Sequence, residues 1–380
     1  MSATPIIGFD AKRIVRNGTG LGSYGRTLVS DLSAYPLSLR LYAPDEGCAE
    51  FRSQVLGPSN VSLLTPRSSI MPGAFWRSYG IVRDLQRDGV QLYHGLSGEL
   101  PIGIKRSGIK TVVTIHDLIF LRHPEFYHPI DVKLYTWKFR QTLKEADHII
   151  AISECTKRDI LYYGGQAISP DKISLIYQAH ASRFHNQVSA DAIAQVRRQY
   201  GLTMPFILSV GSIEARKNIR LAVRALAHLP SAIHLVAVGK STAYSKQVEQ
   251  EAIKSGLGHR VHFLHGVPDE QLNILYHEAE AFVYPSFYEG FGIPIIEAIR
   301  CGLPVVACTG SCLEEAGGPD SLYVSPDDTE GMAHAIRQSL KGAADRQERI
   351  RRSLDYIRRF DGNDVAGQVY ALYQQLIAGI

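Results

Sequence analysis

Five consecutive residues, Thr111-Val112-Val113-Thr114-Ile115, constrain this chain more than any others. A nearly continuous β-branched run leaves no polar face for solvent. Such a strand is covered on both sides, as in a parallel sheet flanked by helices. The signal recurs along the first half: residues 6–9, 38–42, 92–94, 148–152 and 173–176 read as strands, with helices over 24–32 and 132–145. Ser153 is placed to cap a helix from Glu154. The second half restarts the pattern, with strands over 206–210, 233–239, 261–264, 281–284, 304–307 and 322–324 and helices over 218–226, from Asp269, and over 294–300. A chain of 380 residues exceeds what one core organises. Two consecutive βα series therefore predict an α/β protein of two Rossmann-like domains, residues 1–190 and 200–362, with a hinge near 184–204 that is polar except for short helical patches. The amphipathic tail, 363–380, is expected to return to the first domain.

Composition narrows the class. With 45% hydrophobic and 21% charged residues, the chain reads as a soluble globular protein. Its five cysteines include no CxxC pair, which points to reduced thiols in a cytoplasmic setting. Cys308 and Cys312 have a chelating spacing, but no second pair completes a metal site. No positive segment followed by an apolar core opens the sequence, and no 18-residue uncharged apolar run occurs, so neither a leader nor a membrane span is expected. Charge is uneven: residues 1–190 carry 22 Lys and Arg against 16 Asp and Glu, the remainder 19 against 21. A basic first half suits an anionic acceptor or an anionic leaflet, or is an ordinary solvated surface. Basic patches interleaved with aromatics are absent, so no nucleic-acid partner is predicted.

The chemistry gathers where strands end. Glu289-Gly290-Phe291-Gly292-Ile293 follows one strand, and Glu297 lies further along, in the helix that comes next. Strand, glycine turn and helix N-terminus form the layout by which open α/β folds hold phosphates and sugars. Glu289 can reach a sugar and stabilise charge on its ring, or simply sit favourably near a helix N-terminus. Glu297 can accept from both hydroxyls of a ribose, or be a surface helix residue. Gly290, Phe291, Gly292 and Ile293 offer backbone amides. Arg216 and Lys217 follow another strand end, where two cations can neutralise a diphosphate or remain solvated. His116, which ends the 111–115 strand, can bond a ligand hydroxyl or be a satisfied core histidine. Asp117 beside it can orient the ring or cap a helix, and His94 similarly can line a cleft.

Several of these segments together resemble a known family. Pro285-Ser286-Phe287-Tyr288-Glu289-Gly290-Phe291-Gly292, running through Glu297 to Gly302-Leu303-Pro304-Val305-Val306-Ala307, is similar to the E-x7-E region of retaining glycosyltransferases of family GT4, of the GT-B superfamily. Gly211-Ser212-Ile213-Glu214-Ala215-Arg216-Lys217-Asn218, Ile115-His116-Asp117 and Thr19-Gly20-Leu21-Gly22-Ser23-Tyr24 match in the family's order. The resemblance is strongest to bacterial mannosyltransferases that build O-antigen or other surface polysaccharide. It implies a GT-B fold with two Rossmann-like domains facing each other across a cleft, the donor on the C-terminal domain and the acceptor on the N-terminal one. It also implies Glu289 and His116 beside the donor sugar, Glu297 on the ribose, and Lys217 with Arg216 on the diphosphate. Ser212 stands where the family has an arginine, and Arg216 is expected to supply part of that charge. Gly20 and Gly22 are read as a loop closing on the diphosphate, and Gly266 and Val267 as contacts to the base. The implied donor is GDP-mannose, with a UDP-sugar as the alternative. The implied acceptor is a glycan or lipid-linked glycan, which would bring peripheral contact with an anionic membrane. No prosthetic group and no metal is expected. A sugar-nucleotide epimerase and a non-catalytic sugar-binding protein are the rival readings.

Overall fold

The computed structural model describes residues 4–67, 72–178 and 188–379. The chain divides into two units, residues 1–179 with 362–380, and residues 180–361.

In the first unit the described strands are β1 (Ile6–Asp10), β2 (Ser38–Tyr42), β3 (Val61–Leu64), β4 (Leu92–Gly95), β5 (Lys110–Ile115), β6 (His148–Ala151) and β7 (Ile173–Leu175), ordered β3-β2-β1-β4-β5-β6-β7. All neighbours pair in parallel. Alternation along the strands feeds two cores. Ile7, Phe9 and Val112 pack on one face with helix Gly20–Leu32 and with helix Val365–Ala378. Val113 and Ile115 pack on the other, with Leu85, Phe139 and Ile160. Sheet faces covered on both sides are what the β-branched run demanded.

The second unit has β8 (Phe206–Val210), β9 (His234–Val238), β10 (Val261–Leu264), β11 (Phe282–Tyr284), β12 (Val305–Cys308) and β13 (Leu322–Val324), again parallel, in the order β10-β9-β8-β11-β12-β13. Both sheets reverse strand order once, between β1 and β4 and between β8 and β11. Ligands of open α/β sheets bind at such switch points, outside the carboxyl ends of the strands.

Three expectations need correction. The segment read as a glycine loop is the first turn of helix Gly20–Leu32, which starts four residues before the expected Tyr24. Gly22 is there for space: a Cβ would lie 1.8 Å from the Asn17 carbonyl oxygen. The expected hinge contains a regular helix, Ala190–Tyr200, capped by Ser189 and closed by Gly201 at φ +65°. Arg197 pairs with Glu278 at 3.2 Å, which anchors that helix in the second unit. Residues 184–187 of the hinge lie outside the described residues. His94 lines no cleft. It is fully buried, its Nδ1 2.6 Å from the Tyr373 hydroxyl and its Nε2 2.8 Å from that of Thr114, and burial pushes its pKa down to about 3.

Candidate active site

Two loops meet at the switch point of the second unit. The first leaves β8 and coils into a single turn, Ala215–Lys217, that ends on Asn218 in the left-handed region at φ +50°. The Asn218 side chain fixes this turn by donating to the Pro326 carbonyl at 2.9 Å. The second loop leaves β11 and carries Glu289. Backbone joins them: the Phe287 amide donates to the Arg216 carbonyl at 3.0 Å.

Side chains complete the junction. Lys217 Nζ lies 2.6 Å from Glu289 Oε1, and Arg216 donates to Glu289 Oε2 at 3.0 Å. Lys217 also donates to the Tyr284 hydroxyl at 2.8 Å, and Arg216 to the Tyr288 carbonyl at 3.0 Å. Glu289 is 8% exposed. Burial alone would raise its pKa, but Lys217 and then Arg216 outweigh that and hold it below the usual carboxylate range. Burial likewise opposes the charge of Lys217, and Glu289 overrides it, so the ammonium is held more firmly than usual. Burial and the nearby Glu289 push Tyr284 up to about 12, so it stays a neutral phenol.

The glycine turn is positioned from behind. Gly292 holds φ +113°, a backbone state that favours glycine, and begins helix Ile293–Arg300. The Cys312 thiol donates to the carbonyls of Phe291, at 2.8 Å, and Glu289, at 3.1 Å. Cys312 is thus a clamp on the Glu289–Gly292 turn rather than a metal ligand, and Cys308 is buried in the hydrophobic core. Among the described residues, no group of three or more His, Cys, Asp or Glu side chains is arranged to hold a metal.

The remaining expected residues divide. Ser212 borders the same crevice as Gly211, Lys217 and Tyr284. Glu297 lies in helix Ile293–Arg300, 7% exposed, accepting from the Tyr276 hydroxyl at 3.1 Å, and forms no described contact with the Lys217–Glu289 cluster. Gly266, at φ +64°, and Val267 follow the edge strand β10, two strands from β8. Gly20, Gly22 and His116 belong to the first unit.

That unit builds its own cluster at its switch point. Asp10, the last residue of β1, receives two bonds from Arg77, at 2.8 and 3.2 Å, and one from Ser97 at 3.1 Å. Arg77 reaches Glu99 at 3.3 Å, and Lys138 reaches the same carboxylate at 2.9 Å. A pocket of about 180 Å³ adjoins them, lined by Arg13, Glu99, His116, Asp117, Tyr135 and Lys138 among others. His116 Nε2 lies 2.9 Å from the Leu96 carbonyl and so donates, which leaves Nδ1 to accept from Gln178 at 2.7 Å. Burial pushes its pKa down to about 4, so the ring is neutral. Asp117 accepts from the Ile119 amide at 3.2 Å, two residues on. Asp10, Arg77, Glu99, Tyr276, Tyr284 and Cys312 were not anticipated as site residues. The one available signal was a carboxylate directly after the first strand.

Residues 18–179 match the family model described as Glycosyltransferase Family 4, and residues 194–354 the one described as Glycosyl transferases group 1. O-antigen chain mannosyltransferase B of Escherichia coli is 30% identical over 290 residues, covering 75% of this chain and 74% of that protein. The chain belongs to glycosyltransferase family 4. Its GT-B fold is shared with sucrose-phosphate synthase of Thermosynechococcus elongatus, at TM-score 0.78 and 23% identity over 99% of this chain and 100% of that one. It is shared too with Anabaena HepE in complex with UDP-glucose, at TM-score 0.75 and 18% identity over 98% of this chain and 100% of that one. The protein is therefore a glycosyltransferase built on two Rossmann-like α/β units.

Proposed function

We propose that this glycosyltransferase moves a hexose, with retention, from a nucleoside diphosphate sugar to a glycan or lipid-linked glycan. The observation that carries the reading is the convergence of Lys217 and Arg216 on Glu289 at one switch point, at 2.6 and 3.0 Å from its carboxylate oxygens. The two cations take the diphosphate and neutralise the charge that grows as the anomeric C–O bond breaks. Glu289 faces the ring, where positive charge develops. The new C–O bond forms on the same face, and the acceptor proton passes to the leaving phosphate oxygen. Glu297 takes the ribose, and backbone amides of Gly290, Phe291, Gly292 and Ile293 take sugar or phosphate oxygens. Ser212, Gly266 and Val267 complete the nucleotide site. In the first unit His116 serves the donor sugar, and Gly20 and Gly22 close on the diphosphate and admit the acceptor. Cations in the place of a divalent ion make the reaction metal-independent.

The donor has two readings. The Escherichia coli relative is a mannosyltransferase, which supports mannose and a GDP-linked donor. The solved HepE complex holds UDP-glucose, which favours a UDP-sugar. Backbone contacts at Gly266 and Val267 carry no side-chain chemistry that prefers guanine over uracil. Calorimetric titration with GDP, UDP and ADP separates them: tighter GDP supports mannose transfer, and tighter UDP replaces it. Indifference of all three to Lys217→Ala removes the diphosphate site itself.

A further inference from the structure

Helix Asp269–Glu278 leads into β11, and helix Ile293–Arg300 follows the loop that leaves it. Two side-chain contacts lace these helices together. The Tyr276 hydroxyl donates to Glu297 Oε2 at 3.1 Å, and one turn away on each helix the Cys301 thiol lies 3.8 Å from Asn273 Oδ1. Tyr276 is wholly buried, its ring 5.6 Å from that of Phe282. Burial, and then the Glu297 carboxylate, raise its pKa well above the ordinary phenol value, so the hydroxyl keeps its proton and is a donor. The same two causes push Cys301 up to about 12, so that thiol is neutral as well.

Packing does not call for this pair. A phenylalanine and a leucine would fill similar space without taking a hydroxyl and a carboxylate out of water. What the hydroxyl adds is orientation. The last torsion of a glutamate lies in a broad, roughly twofold well, so a carboxylate left alone turns its plane easily. A donor prefers to meet a carboxylate oxygen close to that plane, and Tyr276 therefore fixes it. It occupies one of about four acceptor positions and leaves both oxygens able to accept. A ligand with hydroxyls on adjacent carbons, one for each oxygen, needs the plane held. A ligand with a single hydroxyl does not, because it can follow a turning carboxylate.

We propose that Tyr276 is a positioning residue: it sets the plane of the Glu297 carboxylate to receive a vicinal diol, and so selects a ribonucleoside diphosphate over its 2′-deoxy form. Tyr276 itself has no exposed surface, so it acts on a ligand through Glu297, which is 7% exposed. The inference rests on the reading that Glu297 takes the ribose.

The test is calorimetric titration of the full chain with GDP, UDP and the 2′-deoxy forms of both. The unmodified protein should bind its preferred ribonucleotide about 10–100-fold tighter than the deoxy form, the worth of one hydrogen bond to a charged group. Tyr276→Phe keeps the ring and removes only the hydroxyl. It should lower that ratio by about tenfold, chiefly by weakening the ribonucleotide. Asn273→Ala removes the contact to Cys301 between the same two helices but keeps the Tyr276 hydroxyl, and should leave the ratio alone. On a Glu297→Gln background, Tyr276→Phe should change the ratio no further, because the group through which it acts is gone. An unchanged ratio in Tyr276→Phe, an equal fall in Asn273→Ala, or a full further fall on the Glu297→Gln background would each overturn the proposal while nucleotide binding stands. Failure of the unmodified protein to bind any of the four diphosphates would overturn the glycosyl-transfer reading, and this inference with it.

Discussion

The two switch points carry differently connected clusters of charge. In the second unit one carboxylate, Glu289, is shared by two cations, Lys217 and Arg216. In the first, Asp10 and Glu99 divide Arg77 between them, and Lys138 completes the row. The first arrangement gathers both cations on one buried carboxylate, with the half-exposed Glu214 3.8 Å from Arg216 at its rim. The second alternates two carboxylates with two cations beside a pocket that Arg13 and Asp117 also line. Both sheets are parallel with one reversal of strand order, and what differs at the switch points is the side chains they carry.

The largest expected effect comes from removing one of the two cations that meet on Glu289. Lys217→Ala should lower kcat/KM for the sugar nucleotide by about 10²–10³-fold, the usual loss for one stabilising donor in a buried site. The fold should survive, because Arg216 still pairs with Glu289. Steady-state kinetics with an unfolding curve checks both, and unchanged turnover would erase the distinction between the two clusters.

Glu289→Gln probes the same cluster from the other side. The carboxylate that holds both cations in the ligand-free protein competes with a diphosphate for them. Removing its charge should cut transfer by about 10²-fold while tightening nucleoside diphosphate binding several-fold. Weaker diphosphate binding in calorimetry would mean that Glu289 helps to organise the cations rather than competing with the ligand.

Asp10→Ala should act only in the first unit. It leaves Arg77, whose side chain is 13% exposed, with Glu99 as its remaining charged partner. The cost is about 3 kcal/mol of stability, that of breaking a buried pair. Nucleoside diphosphate affinity should not change, because that site belongs to the other unit. A fall in affinity would show that the two switch points are coupled.

Much of this plan was legible and some was not, for identifiable reasons. β-branched runs located the strands, and ligand residues collect at strand ends, so Lys217, Glu289 and His116 could be found from their positions. Asp10 was missed because its partners, Arg77 and Ser97, are remote in sequence and nothing local marks the carboxylate as paired. Gly20 and Gly22 were misread because glycine disfavours helices, whereas here it admits the Asn17 carbonyl at the start of one. Cys312 looked like a chelating spacing with Cys308, and only the fold shows its thiol turned toward backbone carbonyls. His94 and His116 look equivalent in sequence, each following a strand, yet the core takes one and a pocket wall the other.

Acid should weaken the first unit. Burial depresses His94 to about 3 and His116 to about 4. Above pH 6.5 both are neutral whether folded or not. As pH falls below 6.5 the unfolded chain takes up protons that the folded one refuses until about pH 4, so the first unit loses stability across that window. Glu289 and Asp10 are both held below the usual carboxylate range, in each case because nearby cations outweigh burial. Their contribution persists down to about pH 4 and is lost only as pH falls through the depressed values. Trp76 and Trp137 both lie in the first unit, so tryptophan emission follows it specifically. Its urea midpoint should drop between pH 7 and 5, and a flat profile would mean that the histidines are protonated without unfolding.

The smallest effect tests the support behind the cluster rather than the cluster itself. The Cys312 thiol lies against the carbonyls of Glu289 and Phe291. Cys312→Ala removes that donor and should cost about 1 kcal/mol, the net worth of a hydrogen bond of this kind. The turn would loosen and KM for the donor should rise a few-fold at nearly constant kcat, since the cations are untouched. Cys312→Ser keeps a donor of similar size and should restore most of the loss. If serine and alanine behave alike, the thiol matters only for its volume, and the turn is held by Gly292 and the helix that follows it.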